Sequence, residues 1–458
     1  MTNLHRICTR SPQTWRVSLG MGAVMASLLL SACSEPEVIL PGVRENVRSV
    51  IENSDGFEAP ADLPVPENTS RAISLPAMTN NASWTQAAGT PSTRINHAAL
   101  STAPQLAWSA NIGKGDSRKQ RITAAPVVAG GKIYTIDSSA LVTATSASGT
   151  PLWSRDLTPP SDGQGDATGG GLAVDGDTLY VSLGFGTVTA LDAATGATRW
   201  EQDIEATGSG APTVYGDMVY FTSGDDMGWA LNKNNGRVQW QTGSSTVVGN
   251  ILTTPAPAIS PEIAVMAFGS GEVQGLFRSG GLNRWNVSVL GKRPGRALSN
   301  VSDISSGPVI SGNTVYVGNM SGRLAAVTLS GGERQWTANE GVVGAVWPAG
   351  DSVFGVTDLN ELVRFDASTG QRVWGVKLPN FVKEKPKRQS EIVTHHGPIL
   401  AGGRIILASN DGVLRSFDPT NGALIGTAEI PGGATTAPVV AGRTLYVVSS
   451  KGQLHAFR

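Results

Sequence analysis

Asp192-Ala193-Ala194-Thr195-Gly196-Ala197-Thr198-Arg199-Trp200 is the stretch from which the fold can be read, and Asp366-Ala367-Ser368-Thr369-Gly370-Gln371-Arg372-Val373-Trp374 repeats it. Reduced to a glycine followed four residues later by tryptophan, the pattern recurs at Gly149/Trp153, Gly196/Trp200, Gly236/Trp240, Gly281/Trp285, Gly332/Trp336 and Gly370/Trp374. It comes once more at Gly422, where Gly426 stands in the aromatic position. Trp108 occupies the place of an earlier unit's tryptophan. From 108 to 426 the successive positions are separated by 45, 47, 40, 45, 51, 38 and 52 residues. A period of about 45 is that of a four-stranded propeller blade and is too long for leucine-rich or tetratricopeptide repeats.

Working outward from the turn, each unit holds three short β-type runs. The first joins a small residue, Pro and an aliphatic, as in Ala125-Pro126-Val127-Val128 and Ala437-Pro438-Val439-Val440. The second mixes aliphatic and aromatic residues, as in Leu179-Tyr180-Val181 and Leu445-Tyr446-Val447. The third leads into the turn, as in Val188-Thr189-Ala190-Leu191-Asp192. Runs of about four to six residues suit strands and are too short for ordinary helices, and the intervening Gly and Asp suit tight hairpins. First-type runs outnumber units that end in the glycine-to-aromatic turn by one. The chain stops at Arg458 with no fourth strand for its last unit, while Leu106–Ala110 is a strand without a unit. The expected fold is therefore all-β: an eight-bladed propeller over 104–458, with the N-terminal strand completing the last blade. Such closure hides an edge that would otherwise recruit other strands.

A tryptophan at one fixed place per blade most economically packs between neighbouring sheets, its indole N–H reaching backbone of the next blade. Trp108, Trp153, Trp200, Trp240, Trp285, Trp336 and Trp374 are assigned this structural role. Trp229 and Trp347 fall in third-strand and first-strand contexts and are also read as core. Catalytic patterns are missing from the sequence: there is no nucleophile elbow, no phosphate-binding glycine loop and no zinc-protease helix. His395 and His396 are adjacent, and on an extended strand they would point to opposite faces, a poor arrangement for joint metal ligation. Asp175, Asp177, Asp225 and Asp226 sit where hairpin turns need side-chain hydrogen bonds. The basic run Lys383–Arg388 contains Pro386 and reads as a solvated loop.

The first 32 residues have the form of a signal peptide. Arg6, Arg10 and Arg16 precede an apolar stretch from Val17 to Leu30 that is too short to span a bilayer as a standard helix. Leu30-Ser31-Ala32-Cys33 resembles a bacterial lipobox and makes Cys33 the expected lipid-attachment residue. Ser34, rather than Asp, after the cysteine resembles the sorting pattern for the outer membrane. The only other cysteine is Cys8, so a mature chain has no internal disulfide. Losing the three arginines takes the formal charge from −1 to −4, which excludes electrostatic recruitment of nucleic acid. Residues 33–103, rich in Pro, Ser, Asn and Glu, read as a tether whose end near Trp84 lies free or packs on the propeller.

The Asp-x-x-Thr-Gly-x-x-x-Trp turn resembles the tryptophan-docking repeat of pyrroloquinoline-quinone propellers. A quinoprotein dehydrogenase of that kind would need a calcium pocket of Glu, Asn and Asp, an Asp base and usually a cysteine pair, and the propeller segment holds no cysteine; no cofactor or metal is therefore expected. Signal peptide, lipobox, tether and ring together resemble the BamB family, lipoproteins of the outer-membrane β-barrel assembly machinery. That resemblance implies a non-enzymatic, periplasm-facing scaffold. It would bind the periplasmic domains of the barrel-inserting subunit and aid nascent outer-membrane proteins. It also implies a partner surface on two neighbouring inter-blade loops. One carries Asp303, with Ser305 at the family's second acidic position; the other brings Ile251 and Leu252, without the family's arginine. The long connection from Gly291 to Ser306 adds Arg293 and Arg296. A quinoprotein dehydrogenase and a cell-envelope polysaccharide-binding propeller remain the alternatives.

Overall fold

The computed structural model describes residues 67–458 apart from 205, 207–209, 246–253, 292–303, 305 and 384. The described chain forms eight four-stranded sheets, every adjacent pair antiparallel, and each sheet is one blade. Blade 1 comprises Val127–Ala129, Lys132–Ile136, Leu141–Ser146 and Pro151–Asp156. Blades 2 to 7 follow in chain order, with inner strands beginning at Gly170, Thr213, Ala258, Val309, Trp347 and His395. Blade 8 takes Val439–Ala441, Thr444–Ser449 and Gln453–Phe457 from the C-terminus and Leu106–Asn111 as its outer strand. The closing strand pairs Ser109 with His455 and Ala110 with Leu454, and it is the expected ring closure.

Strand alternation explains the burial. Second strands, sandwiched between neighbouring blades, are mostly apolar, as in Thr178–Leu183 and Arg404–Ser409, both buried along their whole length. Outer strands such as Thr198–Asp203 expose most residues and turn chiefly the tryptophan inward.

The repeat has a single mechanical purpose, and it works between blades rather than within one. The glycine of each turn receives the tryptophan of the preceding blade. A Cβ on Gly196 would lie 2.6 Å from the Trp153 ring, and one on Gly370 would lie 2.4 Å from the Trp336 ring. Both glycines also have φ near +70°, so an L side chain there meets strain as well as the indole. The turn is held by its aspartate: Asp192 Oδ1 accepts the N–H groups of Ala194 and Thr195, and Asp366 Oδ1 those of Ser368 and Thr369. The indole N–H then donates to a carbonyl of the next blade. Trp108 reaches Ala147, Trp153 reaches Ala193, Trp200 reaches Lys233, Trp240 reaches Arg278, Trp285 reaches Leu329, Trp336 reaches Ala367 and Trp374 reaches Pro419, at 2.8–3.3 Å. Opposite the tryptophan, the third strand carries a small residue in most blades (Ala144, Ala190, Ala230, Gly275, Ala326, Ala456), beside a bulge that turns the ring toward the joint. Each docked ring removes on the order of 200 Å² from water, about 5 kcal/mol before conformational costs.

Trp229 stacks on Phe221, with 6.3 Å between ring centroids, and Trp347 is fully buried at the start of blade 6.

The chain ahead of the ring crosses its centre. From Asn68 to Ser101 it forms a strap that starts against the outer strand of blade 6 and then runs along the inner strands, and Trp84 is 1% exposed. Asn68 exchanges two hydrogen bonds with Gly375, and Thr69 N–H donates to Val373 O.

Candidate functional site

In a four-stranded meander, the turns between second and third strands and the inter-blade connections share one face. The hairpins between first and second strands occupy the other. The two loops expected to bind a partner follow the outer strands Val238–Gly243 of blade 3 and Asn283–Ser288 of blade 4, so both belong to the connection face and flank blade 4. Ile251, Leu252, Arg293, Arg296, Asp303 and Ser305 themselves lie outside the described residues, as does Cys33.

The stems of both loops are tied into the blades. Ser244 Oγ donates to Glu272 at 2.6 Å, and Thr254 Oγ1 donates to Thr222 O at 2.7 Å, which fixes the two ends of the first loop. On the second, Asn319 Nδ2 donates to Val289 O, and Ser321 Oγ donates to Gly291 O. Ile304, between the two expected polar contacts, is 2% exposed and packs with Val289 and Ile310. Ser306 Oγ bridges Gly318, donating to its carbonyl and accepting its N–H. Leu290, at the exit of the second stem, is exposed. The interval between Ser288 and Val309 is longer than any other between consecutive blades.

Titratable groups elsewhere are engaged in local structure. Asp177 and Asp192 both receive Arg199, at 2.8 and 2.7 Å. The Arg199 guanidinium, together with Thr195, holds Asp192 down at about 2. Lys233 pairs with Asp175, and Asp226 Oδ1 accepts the Gly269 N–H. His395 is hydrogen-bonded to Ser409 Oγ and to Pro379 O, and burial lowers its pKa. His396 points to the other face of the strand, where burial lowers it to about 4. Among the described residues no three His, Cys, Asp or Glu side chains come together as a metal site. No helix among them is long and apolar enough to cross a membrane. A mostly apolar cavity of about 630 Å³ opens beside the strap, lined by Met78, Leu100, Val128, Arg443, Tyr446 and Arg458. In the basic run, Lys383, Lys385, Lys387 and Arg388 are exposed, around a short 3-10 turn at Pro386–Arg388.

Two features escape a repeat-based reading. One is the strap, whose only strong signal in sequence is the isolated Trp84. The other is Arg364, which stands opposite Trp374 where most other blades have Ala or Gly. It is fully buried, and its guanidinium donates to the carbonyls of Arg71 and Ala72 on the strap and of Pro419 and Thr420 on blade 7. Arg71 in turn pairs with Asp366 at 2.7 Å and with Asp351 at 3.2 Å. A departure from the small residue of the repeat was the available clue.

The family described as outer membrane protein assembly factor BamB matches residues 138–376 and 380–458. The chain is 22% identical over 362 residues to the BamB of Yersinia pestis, covering 77% of this chain and 88% of that one. Among solved structures, BamB from Moraxella catarrhalis superposes with a TM-score of 0.63 at 18% identity, covering 78% of this chain and all of that one. The quinohemoprotein alcohol dehydrogenase of Comamonas testosteroni superposes with a TM-score of 0.61 at 14% identity, covering 83% and 81%. At such identities the structural likeness speaks for the propeller fold alone.

Proposed function

Because the chain belongs to the outer membrane protein assembly factor BamB family, we propose that it is a non-enzymatic scaffold in the insertion of β-barrel proteins into the outer membrane. The observation that carries this reading is the family match, which runs through most of the ring. In this reading Cys33 is the lipid attachment point, the ring faces the periplasm, and residues 33–103 link the anchor to the ring, with the strap as their ordered end. The partner is the barrel-inserting subunit, engaged through its periplasmic domains by the loops on either side of blade 4. Ile251 and Leu252 supply apolar contact, and Arg293, Arg296, Asp303 and Ser305 supply a polar rim, a composition suited to a modest protein interface. Inter-blade loops vary without disturbing the tryptophan docks, which is how a propeller acquires binding on a face while its core stays structural.

The test is the double variant Ile251→Arg/Asp303→Arg. It keeps its circular dichroism but loses co-purification with the barrel-inserting subunit from solubilised membranes, since it places like charge and a poorly solvated cation in the interface. Undiminished recovery by the folded variant would remove this surface. Labelling with a palmitate analogue marks the wild type and not Cys33→Ser. The quinoprotein alternative requires quinone absorbance to appear on addition of pyrroloquinoline quinone with calcium, and the scaffold reading expects none.

A further inference from the structure

The strap makes one complete lap of the channel, touching the blades in their order around the ring. Asn81 Nδ2 donates to Val440 O of blade 8 at 2.6 Å, and Asn81 O accepts the Gly442 N–H. Trp84 pairs its backbone with Val128 of blade 1, giving and receiving at 2.8 and 2.7 Å. Thr85 O accepts the Val174 N–H of blade 2 at 2.9 Å. Gln86, 4% exposed, uses its side-chain amide as a strand would use its backbone: Oε1 accepts the Val214 N–H of blade 3 and Nε2 donates to Val214 O. Pro91 O accepts the Ile259 N–H of blade 4, and Ser92 O accepts that of Ile310 in blade 5. Arg94 donates to Ala345 O and Val346 O ahead of blade 6 and lies 5.2 Å over the Trp347 ring. Ala98 N–H donates to Leu400 O of blade 7, and its carbonyl accepts the Gly402 N–H.

The physical reason for such a lap lies in the propeller itself. Each inner strand is paired on one side only, and its other edge faces the axis with open N–H and C=O groups. Filling the channel with apolar side chains would bury those groups unpaired, at about 1–3 kcal/mol each. A segment that meets one inner edge after another satisfies them and brings its own apolar groups, Trp84 against Trp347 with ring centroids 6.1 Å apart. Trp84, Ile95, Ala98 and Leu100 share one hydrophobic cluster with the inner strands of blades 6, 7 and 8.

We propose that the axial channel is a peptide-binding site whose ligand is this chain's own segment Asn81–Ala98, held by its contacts rather than by its covalent link to the ring. The occupied channel carries no small molecule, and the strap staples eight blades that otherwise meet only their neighbours. This inference does not depend on the assembly function.

The experiment uses the full mature chain with a protease-recognition insert after Ala103, in the exposed stretch Ser101–Ala103. After cleavage under native conditions, the strap fragment co-elutes with the ring, circular dichroism is unchanged, and release requires denaturant. The same cleaved chain carrying Trp84→Ala and Gln86→Ala releases its strap at least ten-fold faster. A wild-type strap that elutes free from a folded ring, or a ring that unfolds on cleavage, overturns the proposal. A second measurement uses the uncut chain. In Trp84→Ala/Arg94→Ala, hydrogen exchange at Val128, Val174, Val214, Ile259 and Ile310 accelerates together, the last four in blades that Trp84 and Arg94 do not touch. Acceleration confined to blades 1 and 6, or none, counts against a single cooperative ligand.

Discussion

At the joint between blades 1 and 2, Trp153 lies on Gly196 and its indole N–H reaches Ala193. At the joint between blades 7 and 8 the corresponding residue is Gly426, and no turn glycine waits for an indole, because the outer strand of blade 8 is the N-terminal Leu106–Asn111. The chain leaving the channel serves that joint instead: Arg404 of blade 7 donates to the carbonyls of Ser101 and Thr102, and Gln105 pairs its backbone with Arg458. Seven joints therefore follow a local code repeated along the chain, and the eighth is made by segments distant in sequence. The difference teaches why the aromatic is missing from the last repeat. A tryptophan is useful only where the next blade brings a turn to receive it, and ring closure by the N-terminus removes that turn.

Breaking the exceptional joint outright has the largest expected effect. Deleting residues 104–112 removes the fourth strand of blade 8 and bares the edge of Gln453–Phe457; denaturant unfolding by circular dichroism then loses its single cooperative transition. Retained cooperativity and thermal stability would overturn the closure scheme.

Next come single large side chains. Trp84→Ala on the axis and Trp374→Ala at a repeated joint each cost about 3–5 kcal/mol in urea unfolding, as expected for a buried aromatic. The two differ in reach: the first raises hydrogen exchange around the whole ring, the second only in blades 6 and 7. Arg364→Ala follows at about 2–3 kcal/mol, since it leaves the carbonyls of Ala72 and Pro419 without their buried donor. It should also make the strap near Arg71 accessible to proteolysis.

Acidification tests the joints differently. Burial lowers the pKa of His395 at the head of blade 7, of His396 beside it, and of His455 against the closing strand. A histidine held neutral in the fold binds its proton more readily when unfolded. Its contribution is complete above the ordinary histidine value of about 6.5 and is lost as pH falls toward the folded value, about 4 for His396. The melting temperature therefore drops between pH 7 and pH 5, and His396→Gln makes that drop shallower. An unchanged pH profile in the variant would show that His396 does not contribute.

The smallest effect is expected where the code is restored without its receptor. Gly426→Trp changes stability by no more than about 0.5 kcal/mol, because a Cβ there meets nothing closer than Ser416 at 3.9 Å. A gain of several kcal/mol would mean that the eighth joint accepts an indole after all.

The blades, their number, the strand order within them and the closing strand were legible in the sequence because each rests on short-range rules. Three β-type runs and a turn recur with a stable period, and a strand left over at one end matches a strand missing at the other. The tryptophans were legible as packing residues, but the identity of their receptor was not: Gly196 sits in the same motif as Trp200, yet it serves Trp153. The lap of Asn81–Ala98 was not legible either. Its residues obey no period, since each meets a different blade and is chosen for that blade's open backbone groups. Arg364 looks like a broken repeat until the strap is seen beside it. The sequence by itself determined the ring, because a blade is specified by contacts within some 45 residues. Only the tertiary structure decided what fills the axis and seals the last joint, because those contacts join residues as distant as Asn81 and Val440, 359 positions apart, at no constant separation and leave no local pattern behind.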